Sequence, residues 1–105
     1  MSKRENAMNV TDLDSFIDES IRISASAGYY PTVFIGMRAR HTAAAAIEKL
    51  VLSGEIQSGF KRLNELGLLD WTIEAAVLKY PNEFTPAARE CAEFRLRLAR
   101  DGIKV

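Results

Sequence analysis

The chain has 105 residues, a length that matches one ordinary domain with its own core. Hydrophobic residues make up 48% of it and charged residues 27%, a composition that excludes an intrinsically disordered chain. The 14 basic and 14 acidic residues cancel, so no overall positive field attracts the protein to nucleic acid or to an anionic membrane. Residues 22–62 nevertheless carry six basic against two acidic residues, which makes the middle of the chain mildly basic.

Few residues are available for redox or metal chemistry. Cys91 is the single cysteine and His41 the single histidine, which leaves no intramolecular disulfide and too few ligands for a structural zinc site. No apolar run follows the charged residues of Met1–Glu5, as a signal peptide or a membrane span would require. We therefore expect a cytoplasmic protein without a cofactor or a membrane attachment.

The first predicted elements are a flexible segment and a helix. Residues 1–10 are polar and aperiodic, and we expect them to precede a single helical domain over 11–105. Thr11, with Asp14 three residues later, predicts the start of the first helix, and Gly28 predicts its end. The apolar spacing predicts the inward face of this helix, which comprises Leu13, Phe16, Ile17 and Ile21.

The middle of the chain is predicted to continue with three short helices. Pro31 suits the first turn of one helix, although the four residues from Thr32 to Ile35 also fit a short strand. Thr42 is the expected cap of an alanine-rich helix that ends at Ser53 and Gly54. The next helix is predicted to begin at Ser58 and to end at Gly67, with an inward face of Phe60, Leu63 and Leu66.

Two further helices complete the predicted fold. Asp70 is the expected cap of a helix from Trp71 to Lys79. Thr85 followed by Pro86 predicts the start of a long last helix, because proline suits the first helical position. The residues that mark this helix are Ala88, Cys91, Ala92, Arg95, Leu96 and Ala99, and its predicted inward face includes Ala88, Cys91, Ala92 and Leu96. We expect an all-α fold, a compact orthogonal bundle of five or six short helices.

A longer pattern extends from about Tyr29 to Arg100. It comprises Gly28-Tyr29-Tyr30-Pro31-Thr32, Phe34 and Met37, an alanine-rich helix, Ser58-Gly59-Phe60-Lys61-Arg62-Leu63, Leu66-Gly67-Leu68-Leu69-Asp70-Trp71-Thr72-Ile73-Glu74, Phe84-Thr85, and Ala92 with Arg95-Leu96. This pattern resembles a small bacterial all-helical module that occurs alone or appended to longer proteins, some of them restriction-like or carried on mobile elements. The resemblance implies a helical unit and no established activity. The module usually has a His-Gly pair where this chain has His41 and Thr42.

No set of residues indicates catalysis, and we predict that the protein is not an enzyme. Cys91 lies on the predicted inward face of the last helix, where a thiol packs as a small apolar residue. Asp70 and Glu74 both fall in a predicted first helical turn, where carboxylates complement the helix dipole. Charges of both signs alternate along the last helix and are typical of a solvated face; they are Glu90, Glu93, Arg95, Arg97, Arg100 and Asp101.

Two functions remain open. The first is an interaction module that binds a protein partner, or a second copy of itself, through an exposed apolar patch that includes some of Tyr29, Tyr30, Phe34 and Trp71. The alternative is a DNA-binding helix-turn-helix with helices at about 42–52 and 58–66. The residues expected to contact nucleic acid in that alternative are Arg38, Arg40, His41, Lys61, Arg62 and Asn64. No small-molecule substrate is indicated.

Overall fold

The computed structural model describes residues 12–53 and 57–102. For two of these residues, Gln57 and Ser58, it describes the backbone alone. The all-α prediction is confirmed, because the described residues form six α-helices and two single 3-10 turns with no strand. The α-helices are α1 (Leu13–Ser26), α2 (Thr32–Arg40), α3 (Ala43–Ser53), α4 (Gln57–Glu65), α5 (Ile73–Lys79) and α6 (Pro86–Arg100), and the 3-10 turns are Leu69–Trp71 and Pro81–Glu83. The predicted flexible segment 1–10 lies outside the described residues. None of the described helices is long and apolar enough to cross a bilayer.

Polar side chains cap the helices at their N-termini. Thr42 and Thr85 cap α3 and α6 as predicted, since each hydroxyl accepts the backbone N–H three residues later, over 3.1 and 3.2 Å. The cap of α1 lies one residue later than the predicted Thr11, because the carboxylate of Asp12 accepts the N–H of Ser15 over 2.8 Å. That hydrogen bond lowers the pKa of Asp12.

Local signals also set the ends of helices and the conformation of α2. Gly28 follows α1 and Gly67 follows α4, with φ of +99° and +75°, a conformation that favours glycine. The strand alternative for Thr32 to Ile35 is wrong, because this segment is the first turn of α2 and the N–H of Ile35 donates to the carbonyl of Pro31 over 3.0 Å.

The core is centred on α3. This helix packs against α1, α2, α5 and α6, and α5 also lies along α6. Alanines occupy many of the closest helix contacts, and small side chains there allow the backbones to approach. The most completely buried apolar residues, at 0–1% exposure, are Ile17, Ala46, Ile47, Val51, Ala76, Val77, Ala88, Ala92 and Leu96.

The start of α5 differs from the prediction. Asp70 is exposed in a 3-10 turn and does not cap a helix. Thr72 is the cap instead, because its hydroxyl accepts the N–H of Ala75 over 3.0 Å. As a result α5 begins at Ile73, and the predicted helix from Trp71 to Lys79 is wrong at its first two residues.

A buried ion pair joins three helices and corrects one prediction, the placement of Arg95 on a solvated face. Glu74 is 1% exposed and Arg95 8% exposed, so neither belongs to a solvated surface. Arg95 Nη1 donates to Glu74 Oε2 over 2.7 Å, and Arg95 Nη2 donates to the carbonyl of Val51 over 2.8 Å. Burial raises the pKa of the Glu74 carboxyl, and the Arg95 guanidinium opposes that shift. The pair therefore connects α5 and α6 to the C-terminal turn of α3.

Candidate binding site

A cavity of about 330 Å³ lies between α1, the start of α2, α4 and the 3-10 turn Leu69–Trp71. Its volume is near the lower end of the range for small-ligand sites, about 300–1,000 Å³. All four aromatic residues that the sequence suggests for partner binding line it: Tyr29, Tyr30, Phe34 and Trp71. Further apolar walls come from Ile21, Leu50, Phe60, Leu63 and Ile73.

The four aromatic residues lie at different depths. Phe34 is buried at 5% exposure, whereas Tyr30 is 60% exposed, and Tyr29 and Trp71 are half-buried. Val33, at 63% exposure, also lines the cavity, so with Tyr30 it forms an exposed apolar mouth. The structure therefore brings the predicted residues together around a cavity with an exposed mouth and a buried interior.

The Trp71 side of the cavity is held in place by neighbouring side chains. The Trp71 ring stacks on Phe16 with the centroids 5.0 Å apart and the planes at 20°. The Phe16 and Tyr80 rings are in turn arranged edge to face, at a centroid distance of 5.8 Å. Ser20 Oγ donates to the carbonyl of Trp71 over 2.6 Å, which ties the 3-10 turn to α1.

On the side of the cavity opposite Trp71, Gly59 makes room for the Tyr29 side chain. A Cβ added at Gly59 would lie 2.7 Å from Tyr29 Oη, closer than such atoms approach each other in proteins. α4 therefore approaches the Tyr29 ring only because residue 59 has no side chain. Burial raises the pKa of the Tyr29 phenol. Gly59 belongs to the longer sequence pattern, but nothing in that pattern indicates this packing role.

Polar side chains on the cavity wall were also missed. Ser24 Oγ donates to the carbonyl of Ile21 over 3.2 Å, and Thr72 Oγ1 donates to that of Leu69 over 2.9 Å. Ser24 and Thr72 line the cavity and are 2% and 1% exposed. The one signal in the sequence was a serine on the apolar side of the predicted first helix, and that pattern is common in helices without a site.

The residues suggested for DNA binding lie on two elements. Arg38 and Arg40 end α2, with exposed His41 directly after it, and Arg38 forms ion pairs with Asp18 and Asp14 of α1, over 2.7 and 3.2 Å. The other three lie exposed on α4: Lys61, Arg62 and Asn64. Arg62 lies 3.5 Å from the Glu65 carboxylate, so two of the predicted cations already have acidic partners.

A second depression, of about 470 Å³, borders Asp70, the acidic residue that the sequence predicted as a helix cap. It is lined by Phe16, Asp70, Trp71, Ala75, Leu78, Lys79, Leu96 and Arg100. The carboxylate of Asp70 lies 3.4 Å from Arg100 across it. Its wall is charged and has fewer aromatic residues than that of the first cavity, so the first cavity is the better candidate for an apolar ligand.

Comparisons with known proteins add no relatives. No protein-family model, curated protein or solved structure matches this chain. The resemblance to a bacterial helical module therefore stays a prediction. Within residues 12–53 and 57–102, no group of three His, Cys, Asp or Glu residues is placed to hold a metal ion. The role of the cavity has to be inferred from its own geometry.

Proposed function

We propose that the chain is an interaction module that binds a protein partner, and that its cavity receives one apolar side chain of that partner. The observation that carries the proposal is the convergence of Tyr29, Tyr30, Phe34 and Trp71 on one cavity with an exposed mouth. Full burial of an apolar side chain contributes about 1.5–3 kcal/mol. Anchors of this kind, set in a well-packed aromatic pocket, dominate the affinity of many protein interfaces.

The placement of charges favours this function over DNA binding. Arg38 is held by two carboxylates and Arg62 lies beside one, which reduces the positive charge available to phosphates. A titration of labelled duplex DNA at about 50 and 200 mM salt tests the alternative, because phosphate contacts make affinity strongly salt-dependent. Salt-sensitive binding that is lost in the Lys61→Glu/Arg62→Glu variant would restore the helix-turn-helix hypothesis.

The experiment compares two exposed apolar residues, only one of which lies at the cavity. Val33→Glu places a charge at the mouth, whereas Phe94→Glu places the same charge on α6, where the residue is 55% exposed and does not line the cavity. Val33 lies in the first turn of α2, where a carboxylate complements the helix dipole, so the fold should tolerate it.

Partner capture and the mass in solution are then measured for the three proteins. We expect the wild type and Phe94→Glu to retain the same bound protein, or the same dimeric mass by light scattering, and Val33→Glu to lose it. Partner capture that Val33→Glu leaves unchanged would exclude the cavity as the interface.

We also propose a reducing, cytoplasmic setting for the module. Cys91 is a free thiol on α6 and packs half-buried against the core. Disulfides persist in oxidising compartments and are rare in the cytoplasm, so a single thiol without a partner cysteine in the sequence supports this setting.

A further inference from the structure

α4 is attached to the fold differently from the other helices. Each of the other five α-helices packs closely along at least one further α-helix, with α3 in the centre. The element that packs most closely on α4 is the 3-10 turn Leu69–Trp71, which follows it directly in the chain. The main packing of the α4 backbone is therefore with its own neighbour in sequence and not with the helices of the core.

Polar contacts connect the other five α-helices and leave α4 out. Hydrogen bonds and ion pairs between those helices are formed by Arg38 with Asp18, Thr85 with Glu48, and Arg95 with Glu74 and Val51. Within residues 59–65 of α4, whose side chains are described, the polar side-chain contact is that of Arg62 with Glu65 inside the helix itself. Toward the other helices, these α4 side chains therefore offer apolar packing alone.

The apolar side chains that hold α4 are also the ones that close the cavity. Phe60 and Leu63, at 2% and 9% exposure, line it, and Gly59 lies against the Tyr29 hydroxyl on the cavity wall. Local openings of a native protein occur where the fewest buried contacts hold a segment. A helix of nine residues is also too short to be stable by itself in water. If α4 leaves the cavity, it should therefore unwind as one unit.

We propose that α4 is a lid over the cavity, which opens while the other five α-helices stay folded. Opening exposes Phe34 and Leu50, which line the cavity and are otherwise buried. The purpose of the lid rests on the proposed function: it lets an apolar side chain of the partner reach these buried walls, past the exposed mouth at Tyr30 and Val33.

Native-state hydrogen exchange of the full ¹⁵N-labelled chain, followed by nuclear magnetic resonance, tests the lid without any partner. The measured quantity is the equilibrium constant of opening at each backbone amide, after correction for the intrinsic exchange rate of that amide. We expect the amides of residues 62–66 to share one opening constant, at least about tenfold larger than the constants in α3 and α6. A shared value distinguishes a lid that opens as a unit from fraying at one end of the helix, which gives a gradient.

Variants at the contact with Tyr29 test whether the opening is detachment of α4 from the cavity. A Cβ at residue 59 would lie 2.7 Å from Tyr29 Oη and 3.7 Å from Tyr29 Cζ, and only the first distance is a clash. Gly59→Ala should therefore raise the opening constant of α4 by about threefold or more, although alanine favours the helix itself. Tyr29→Phe/Gly59→Ala removes the clashing oxygen and should reverse the increase.

Gly36→Ala is the matched control. It adds the same methyl group to α2, where the Cβ meets open space, and it should leave the opening constant of α4 unchanged. A change in α4 that Gly36→Ala reproduces would mean that the effect of Gly59→Ala does not come from the contact with Tyr29, and it would overturn detachment as the mechanism.

The remaining outcomes that would overturn the lid are also specific. Opening constants in α4 that equal those in α3 and α6, or that form a gradient along the helix, would show that α4 does not open as a separate unit. Gly59→Ala that leaves the α4 constant unchanged or lowers it, or that raises the constants of α3 and α6 by the same factor, would do the same. The capture experiment with Val33→Glu tests partner binding separately, so failure of the lid and failure of the proposed function are distinguishable.

Discussion

Substitution of Glu74 by leucine removes the counter-charge of the Arg95 guanidinium, and Arg95 is only 8% exposed. Removal of one member of a buried ion pair typically lowers the free energy of unfolding by about 3–5 kcal/mol, because the other charge stays buried without its partner. A chain of this length has about 5–15 kcal/mol in total. Glu74→Leu should therefore lose a large part of the stability of the fold.

The double variant Glu74→Leu/Arg95→Met removes both charges and fills their space with apolar side chains. What it still lacks is the hydrogen bond that Arg95 donates to the Val51 carbonyl in the last turn of α3. Loss of a donor to a buried carbonyl lowers stability by about 1–3 kcal/mol. We expect the double variant to be more stable than Glu74→Leu by roughly 2 kcal/mol.

Urea denaturation followed by far-ultraviolet circular dichroism gives the free energy of unfolding of each variant. A double-mutant cycle that also includes Arg95→Met then isolates the coupling between the two side chains. Losses that simply add in the double variant would show that Glu74 and Arg95 act independently, which would refute the pairing as the source of their stability.

The same pair provides a second readout, the pH dependence of stability. Burial raises the pKa of Glu74 in the folded state, so the folded protein holds that proton more tightly than the unfolded chain does. The stability that this group contributes is therefore fully present below its unfolded pKa, about 4.3, and is lost as the pH rises through the folded pKa. The advantage of the wild type over Glu74→Gln should shrink across that range. An advantage that grows with pH would mean that the Arg95 charge outweighs burial.

Further substitutions test the packing at the cavity and the cap of α6. Gly36→Ala should raise the free energy of unfolding by about 0.5–1 kcal/mol, because its Cβ would meet open space within α2. Gly59→Ala should be less stable than Gly36→Ala, since its methyl group would lie 2.7 Å from the Tyr29 hydroxyl and force it to move, and thermal denaturation of the two variants measures the difference. Thr85→Ala should lose about 1–2 kcal/mol, because the hydroxyl caps α6 and also donates to the Glu48 carboxylate. Glu48→Ala should lower the free energy of unfolding, measured by urea denaturation, by less than Thr85→Ala does. An equal or larger loss in Glu48→Ala would contradict the capping role of Thr85.

Much of the helical layout could be predicted because its signals are local. Thr42 and Thr85 satisfy free N–H groups within three residues, and Gly28 and Gly67 adopt a left-handed conformation that other residues rarely reach. Near residue 70 the local signals conflicted, because Asp70 and Thr72 are both good caps. The tertiary structure favours Thr72, and Leu69–Trp71 forms a 3-10 turn that places the Trp71 ring on Phe16.

The ion pair could not be predicted from local pattern. Glu74 lies in the first turn of its helix, where an exposed carboxylate is also favourable, and its partner is 21 residues away. Arg95 lies among charges of both signs, as residues on a solvated face do. The one discriminating signal was its position on the same face as Ala88, Ala92 and Leu96, all of them buried. Only the packing of α5 against α6 decides between the two interpretations.

The cavity depends on contacts that hold its walls from outside. Trp71 is fixed by Phe16 and by Ser20, and Tyr29 is positioned against α4 by the missing side chain of Gly59. Cavities that stay empty are apolar, whereas one with hydroxyl acceptors on its wall favours water that donates to them. The walls of this cavity are mainly aromatic and aliphatic, so burial of an apolar partner side chain should supply most of the affinity.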